Sequence, residues 1–187
     1  MAAELKRCAW CGTDPLYVKY HDEEWGRTVT DDKVLFEFLI LEGAQAGLSW
    51  ITILRRREGY RNAFADFEVG KVAAFTDEDV ARLMNDTGII RNRLKIKAAI
   101  SNAQLFIALQ HEFGSFYNYL WSYLPDRKPI LNQVLRHGDV PARSELSDAI
   151  SKDMKKRGFK FFGTTICYAH MQATGMVNDH QVDCHFR

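Results

Sequence analysis

From Asn92 onward, Leu94, Ile96, Ala99, Ile100, Ala103 and Phe106 recur at the three- and four-residue spacing of a long α-helix. Almost nowhere does the chain show the apolar–polar alternation of a half-buried strand. The fold class this implies is all-α. Other stretches carry their own start and stop signals. Asp31 and Asp32 can cap a helix running to about Ala46 and closed by Gly47, in which Leu35, Phe38, Leu39 and Glu42 share one face. Ser49 can open a second through Trp50, Ile53 and Leu54, ending in Arg55, Arg56 and Arg57 beside Gly59. Thr76 and Asp79 have capping-box spacing ahead of Val80, Leu83 and Met84. Gly88 breaks that pattern, so Thr87-Gly88-Ile89-Ile90 joins two helices into a hairpin. Pro125, Pro129 and Pro141 mark an irregular connection. Further helices are expected from Ser147 to Gly158 and from Thr164 or Thr165 to Gly175.

A chain of 187 residues has room for one domain or two small lobes. A hydrophobic share of 47% can fill a core, and 26% charged residues is ordinary for a globular protein, which excludes a disordered chain. Lys and Arg number 25 against 24 Asp and Glu, a net charge of +1. Such balance gives no compositional sign of nucleic-acid binding, so any such function must reside in local patches. No apolar run approaches the roughly 20 residues a bilayer span needs. The start, Met-Ala-Ala-Glu-Leu-Lys-Arg-Cys, lacks the apolar stretch of a secretory signal. A cytoplasmic location without a membrane partner is expected, and reducing surroundings disfavour disulfides among Cys8, Cys11, Cys167 and Cys184.

Three constellations can carry chemistry. Cys8, Cys11 and His21 near the start, with His180, Cys184 and His185 near the end, are soft ligands competing for the four places of a tetrahedral metal site. The plain alternative is buried cysteines and surface histidines; Cys167, in an apolar helix, reads as core. The hairpin turn exposes backbone N–H groups able to hold a phosphate, with Arg91, Arg93, Lys95 and Lys97 as counter-charge. The plain alternative there is a helix connection with a solvated basic face, and a solvated face is also the default for Lys152, Lys155, Lys156 and Arg157. Finally, Glu42 sits in an apolar helix, flanked in sequence by Trp10, Tyr17, Tyr20, Trp25 and Trp50. Aromatic faces with one embedded carboxylate make a receptor for a flat cation. The competing reading is an aromatic core with Glu42 paired to a nearby Arg.

Several strings resemble, in order, the 3-methyladenine DNA glycosylase I family of the helix-hairpin-helix glycosylase superfamily. They are Cys8-Ala9-Trp10, Asp14-Pro15-Leu16-Tyr17, Tyr20-His21-Asp22-Glu23-Glu24-Trp25-Gly26, Leu41-Glu42-Gly43-Ala44-Gln45-Ala46-Gly47-Leu48-Ser49-Trp50, Gly88-Ile89-Ile90-Arg91, Lys156-Arg157-Gly158-Phe159-Lys160-Phe161 and Gly163-Thr164-Thr165-Ile166-Cys167-Tyr168 through Val177-Asn178-Asp179-His180. The likeness runs from Cys8 to Cys184.

The resemblance implies two helical lobes around a base pocket within a single domain, 1–187. One lobe would span about 50–125 and contain the helix-hairpin-helix at 83–95. The other would join about 1–49 to 145–187. It implies a structural zinc, one per chain, on Cys8, His21, His180 and Cys184, leaving Cys11 and His185 as spectators. It implies a monomeric, monofunctional enzyme that flips N3-methyladenine out of alkylated double-stranded DNA and hydrolyses it off as free 3-methyladenine, without lyase activity. Glu42 would contact the base between Tyr20 and Trp50, with Trp10 and Trp25 nearby, and Gly88, Ile89, Ile90 and Arg91 would hold the DNA backbone. His170 is a departure from the family's pattern and is expected to be a satisfied core histidine. Two other functions fit the same residues: a non-catalytic, zinc-stabilised DNA-binding protein and, with an open metal position, a zinc hydrolase.

Overall fold

A computed structural model describes residues 5–187; the reading of residues 1–4 as the start of a chain without a signal lies outside the described residues. The chain is mostly helical. Its helices are α1 Pro15–Glu23, α2 Asp32–Gln45, α3 Trp50–Leu54, α4 Arg57–Ala63, α5 Val69–Ala73, α6 Asp77–Asn85, α7 Arg93–Phe113, α8 Phe116–Trp121, α9 Glu145–Arg157 and α10 Thr164–Ala173. None among the described residues is long and apolar enough to cross a membrane.

Helix α2 is the axis of the fold. The Asp31 carboxylate accepts hydrogen bonds from the backbone N–H groups of Lys33 and Val34 and so starts the helix. Every residue from Leu35 to Glu42 is buried, as a helix must be when other helices pack round it. Its neighbours are α3, α7, α8 and α10. The side chain of Asn92 caps α7, and Gly114 closes it in the left-handed region. The predicted capping box between Thr76 and Asp79 opens α6.

Several expectations are corrected. The arginine triplet does not end one helix: α3 stops at Leu54 and α4 restarts at Arg57. Arg57 turns inward to Glu37 at 2.6 Å and Glu24 at 2.7 Å. Helix α9 begins at Glu145, because Ser144 is its cap and Ser147 closes a reciprocal capping box. Arg157 does not lie on a solvated face. It binds Glu112 and Asp153 and lies over the rings of Phe113 and Tyr119. The chain is also not wholly α: β1 Ile130–Leu131 runs parallel to β2 Val177–Asn178, in the register Ile130↔Val177 and Leu131↔Asn178. A pair this short, between segments far apart in sequence, leaves no alternation to read.

The α6–α7 hairpin owes its glycine to a close approach. Gly88 is not among the residues with positive φ. Its carbonyl oxygen would lie 2.3 Å from a Cβ placed on Gly59 of α4, so the two backbones touch and Gly59 has no room for a side chain, while a Cβ on Gly88 would be held tightly, 3.0 Å from the Asp86 carboxylate and 3.3 Å from Gly59 Cα. In the turn, Gly88 N–H donates to Asp86 at 2.7 Å and Ile90 N–H to the Tyr60 hydroxyl at 3.2 Å. Ile89 N–H and Arg91 N–H have no internal partner among the described residues. The turn therefore offers fewer free donors than its sequence suggests.

Candidate functional site

Helix α1 serves two sites at once. Asp14 caps it and Pro15 occupies its first turn. Tyr17 and Tyr20, three apart, face a cavity, and His21 faces a cluster at the chain ends.

Cys8, His21, His180 and Cys184 are all buried, with their ligand atoms within 4.8 Å of one another. Cys8 Sγ lies 3.5 Å and Cys184 Sγ 3.4 Å from His180 Nδ1, and Cys184 Sγ lies 3.6 Å from His21 Nε2. The remaining ring nitrogens are spoken for. His21 Nδ1 meets Asp22 at 2.7 Å, and Asp22 is gripped by Arg7; His180 Nε2 donates to the Trp25 carbonyl at 3.0 Å. Each imidazole thus turns a lone pair to the cluster centre, as metal-ligating histidines do. The backbone N–H of Gln181 points at Cys8 Sγ, a contact that favours a thiolate. Burial pushes the Cys8 thiol up to about 12 and pulls the His180 imidazole down to about 4. Near neutral pH the imidazoles are therefore free to coordinate, while the thiols must shed protons to do so. The donor set could hold a metal ion. Cys11 is buried outside it and its Sγ donates to the Cys8 carbonyl; His185 is exposed.

A cavity of about 460 Å³ adjoins this cluster, its lining including Trp10, Tyr20, Trp25, Glu42 and Trp50. Trp10 lies edge-on to Tyr17 at 4.9 Å and to Trp25 at 4.8 Å, and Tyr20 lies 5.6 Å from Trp50. All five aromatic or acidic residues expected at a base pocket are therefore brought together. Sequence reasoning missed Gln45, Ala169 and Gln172 on the lining, and His137 and Val140 from the proline-rich connection. Ala169 and Gln172 are three apart on α10, a helical spacing that could have found them; no signal marks His137 or Val140.

Glu42 is 1% exposed and, among the described residues, is the only carboxylate lining the cavity. It does not pair with an arginine. Its neighbour is His170 of α10, 0% exposed, with Nδ1 3.4 Å from Glu42 Oε2. That approach lacks hydrogen-bond alignment, and both ring nitrogens of His170 are without a hydrogen-bond partner among the described residues. His170 is therefore not the satisfied core histidine expected. Burial raises the Glu42 carboxyl above its ordinary range, and the neighbouring imidazole opposes the rise. The indole N–H groups of Trp10 and Trp50 also have no partner among the described residues. A cavity that brings aromatic faces and one carboxylate together is arranged for a polar aromatic guest.

The methyladenine glycosylase family model matches residues 10–187. The chain belongs to the methyladenine glycosylase family. It is 51% identical over 180 residues to DNA-3-methyladenine glycosylase 1 of Escherichia coli (strain K12), covering 96% of each chain. A crystal structure of 3-methyladenine DNA glycosylase I superposes with a TM-score of 0.93 at 50% identity, covering 96% of this chain and 98% of that one. A variant of 3-methyladenine DNA glycosylase I, crystallised with 3-methyladenine, superposes at 0.92 with 39% identity, covering 96% of each chain. Membership of the methyladenine glycosylase family and the helical fold match what the sequence motifs imply.

Proposed function

We propose that the chain is a monofunctional DNA glycosylase that extrudes N3-methyladenine from alkylated duplex DNA and hydrolyses its glycosidic bond. The observation carrying this reading is the aromatic cavity with one buried carboxylate, set in a chain of the methyladenine glycosylase family. Methylation at N3 leaves the base cationic, so it departs as neutral 3-methyladenine without protonation by the protein. What remains is to hold the flipped cation, favour positive charge on the sugar and admit water. Tyr20 and Trp50 supply aromatic walls, Trp10 and Trp25 close the pocket, and Glu42 supplies the anion.

Lyase chemistry needs a free amine. Lys95 Nζ donates to the carbonyls of Ala44 and Ala46 at 2.8 and 2.7 Å, where it serves the C-terminal end of α2. Gly88, Ile89, Ile90 and Arg91 are proposed to track the DNA backbone through the free N–H groups of Ile89 and Arg91 and the exposed Arg91 side chain. The division into a lobe of about 50–125 and a lobe joining the two ends belongs to the same proposal, as do a cytoplasmic setting and a monomeric state.

For the metal we infer zinc. Bonds of about 2.3 Å to sulfur and about 2.0 Å to nitrogen give tetrahedral edges of about 3.5 Å, close to the 3.4–3.6 Å between these sulfurs and nitrogens. Four protein ligands leave no open position, so the ion would be structural, and its chemistry is to tie the two chain ends together.

Incubating the protein with methylated duplex DNA and analysing the released bases tests the function. Free 3-methyladenine with intact strands is expected. Retarded DNA with no base released would instead favour a binding protein without catalysis.

A further inference from the structure

His170 is the largest loose end in the core. It occupies the middle of α10, sealed from solvent, with two ring nitrogens that donate to nothing and accept from nothing. The rings of Phe162 and Phe116 lie edge-on to it at 5.5 and 6.5 Å and offer no polar atom. A neutral histidine gains nothing here that phenylalanine would not supply, and burying an imidazole without partners carries a cost. Its charged neighbour is the Glu42 carboxylate, itself buried and lacking a hydrogen-bond partner at Oε2 among the described residues. The oxygen facing His170 is the sealed one, which leaves Oε1 as the oxygen turned toward the cavity.

Building on the base-excision role argued above, we propose that His170 is the positioning partner of Glu42. The pair holds one proton, carried by the imidazole, that keeps the carboxylate charged and aimed while the pocket is empty. When a cationic base arrives at Oε1, that proton leaves. Two cations sharing one carboxylate in a dry site repel each other strongly, so the base takes over the imidazolium's electrostatic role and the proton goes to solvent. The charge balance is one cation in and one proton out. The pocket thus exchanges a proton for its base. Neutral adenine cannot drive this exchange, because it brings no charge to replace the one lost.

The surroundings leave the proton nowhere else to go. Among the described residues no lysine or arginine is paired with Glu42. Burial, with the Glu42 carboxylate adding to it, pushes Tyr20 of α1 and Cys167 of α10 far up, so they stay neutral. Asp148 of α9 acts on Cys167 and is not among the groups that shift Glu42. Burial raises the Glu42 carboxyl, and the imidazole beside it opposes that rise.

The full, metal-loaded chain decides the matter in two experiments. In the first, the imidazole of His170 is titrated by ¹⁵N NMR in wild type and in Glu42→Gln, without DNA. An opposite charge within a few ångströms moves a titration by about 1–3 units, so the midpoint should fall by about one unit or more when the carboxylate is removed. An unchanged midpoint overturns the pairing. In the second, the pH profile of kcat/KM for excision is compared between wild type, His170→Phe and His170→Gln. If the imidazole carries the competing proton, its removal moves the acid limb to lower pH in both variants. A limb that stays in place, or moves to higher pH, overturns the proposal even if the rate falls, since a packing role alone would scale the rate without shifting the limb. If Glu42→Gln excises as wild type does, the functional role of Glu42 is what fails. If that variant is impaired while neither titration moves, only the His170 proposal fails.

Discussion

Two buried polar clusters meet at Trp10, Tyr20 and Trp25, and they are finished to different degrees. At the chain ends, each ring nitrogen of His21 and His180 either faces a cysteine sulfur or meets an oxygen partner. At the head of the cavity, Glu42 Oε2 and both nitrogens of His170 have no hydrogen-bond partner. A buried polar group left unmatched costs about 1–3 kcal/mol. A site that needs only to hold shape has every reason to remove such costs, and the Cys/His cluster has done so. The cavity site has not, and its carboxylate is left without a strong internal partner. The two are also mechanically joined, since the Trp25 carbonyl that orients His180 belongs to a wall of the cavity. The finished cluster braces the unfinished one.

The largest expected effect breaks the brace. Cys184→Ser removes a ligand and should cost about 4 kcal/mol or more in stability through loss of the metal, whereas Cys11→Ser should leave metal content unchanged. Elemental analysis and thermal unfolding of the two variants check this. An emptied site in Cys11→Ser beside a filled one in Cys184→Ser would reverse the ligand assignment. Next is Gly59→Ala, whose new Cβ would lie 2.3 Å from the Gly88 carbonyl. Overpacking of this kind costs about 1–3 kcal/mol, and the hairpin should shift, weakening binding to damaged and undamaged duplex alike at one matched salt concentration. Denaturant melts and binding titrations report both.

At the unfinished site, Glu42→Gln keeps the shape and removes the charge. Excision of 3-methyladenine should fall by about 1–3 kcal/mol, read from kcat/KM, with fold, metal content and affinity for undamaged DNA retained. Its stability carries a pH signature. The folded Glu42 carboxyl is raised by burial, so the folded chain binds that proton more tightly than the unfolded one. Stability from this group is fully present below the ordinary carboxyl range and is lost as pH climbs through the raised folded value. Glu42→Gln should therefore gain on wild type as pH rises through that window, and parallel melts at several pH values would show no such convergence if the carboxyl were ordinary. Smallest is Arg91→Ala. It should lower the salt slope of DNA binding by about 1 without altering preference for damage, and a changed preference would place Arg91 at the base instead of the phosphate.

How much of this was legible differs between elements. Helices α2, α6, α7 and α10 were readable because caps, glycines and apolar spacing agree along them. Helices α5 and α8 are too short to announce themselves and are held by packing on α7, which for α5 is a contact across about twenty or more positions of chain. Ser147 misled because a serine at N3 of a capping box has the composition of a cap. The family motifs led to the cavity-lining residues, yet nothing local connects His137 or Val140 to Glu42.

By itself the sequence determined the helical class, the hairpin, the soft ligands at both ends and the set of aromatics around one acid, since each rests on residue type and short-range spacing. Only the tertiary structure decided which four of six ligands converge, that the Gly88 carbonyl leaves Gly59 no room for a side chain, and that the neighbour of Glu42 is His170. Those are facts of contact across 172, 29 and 128 positions of chain (180 − 8, 88 − 59 and 170 − 42). Separation on that scale erases periodic signals, and only packing brings such groups within a few ångströms.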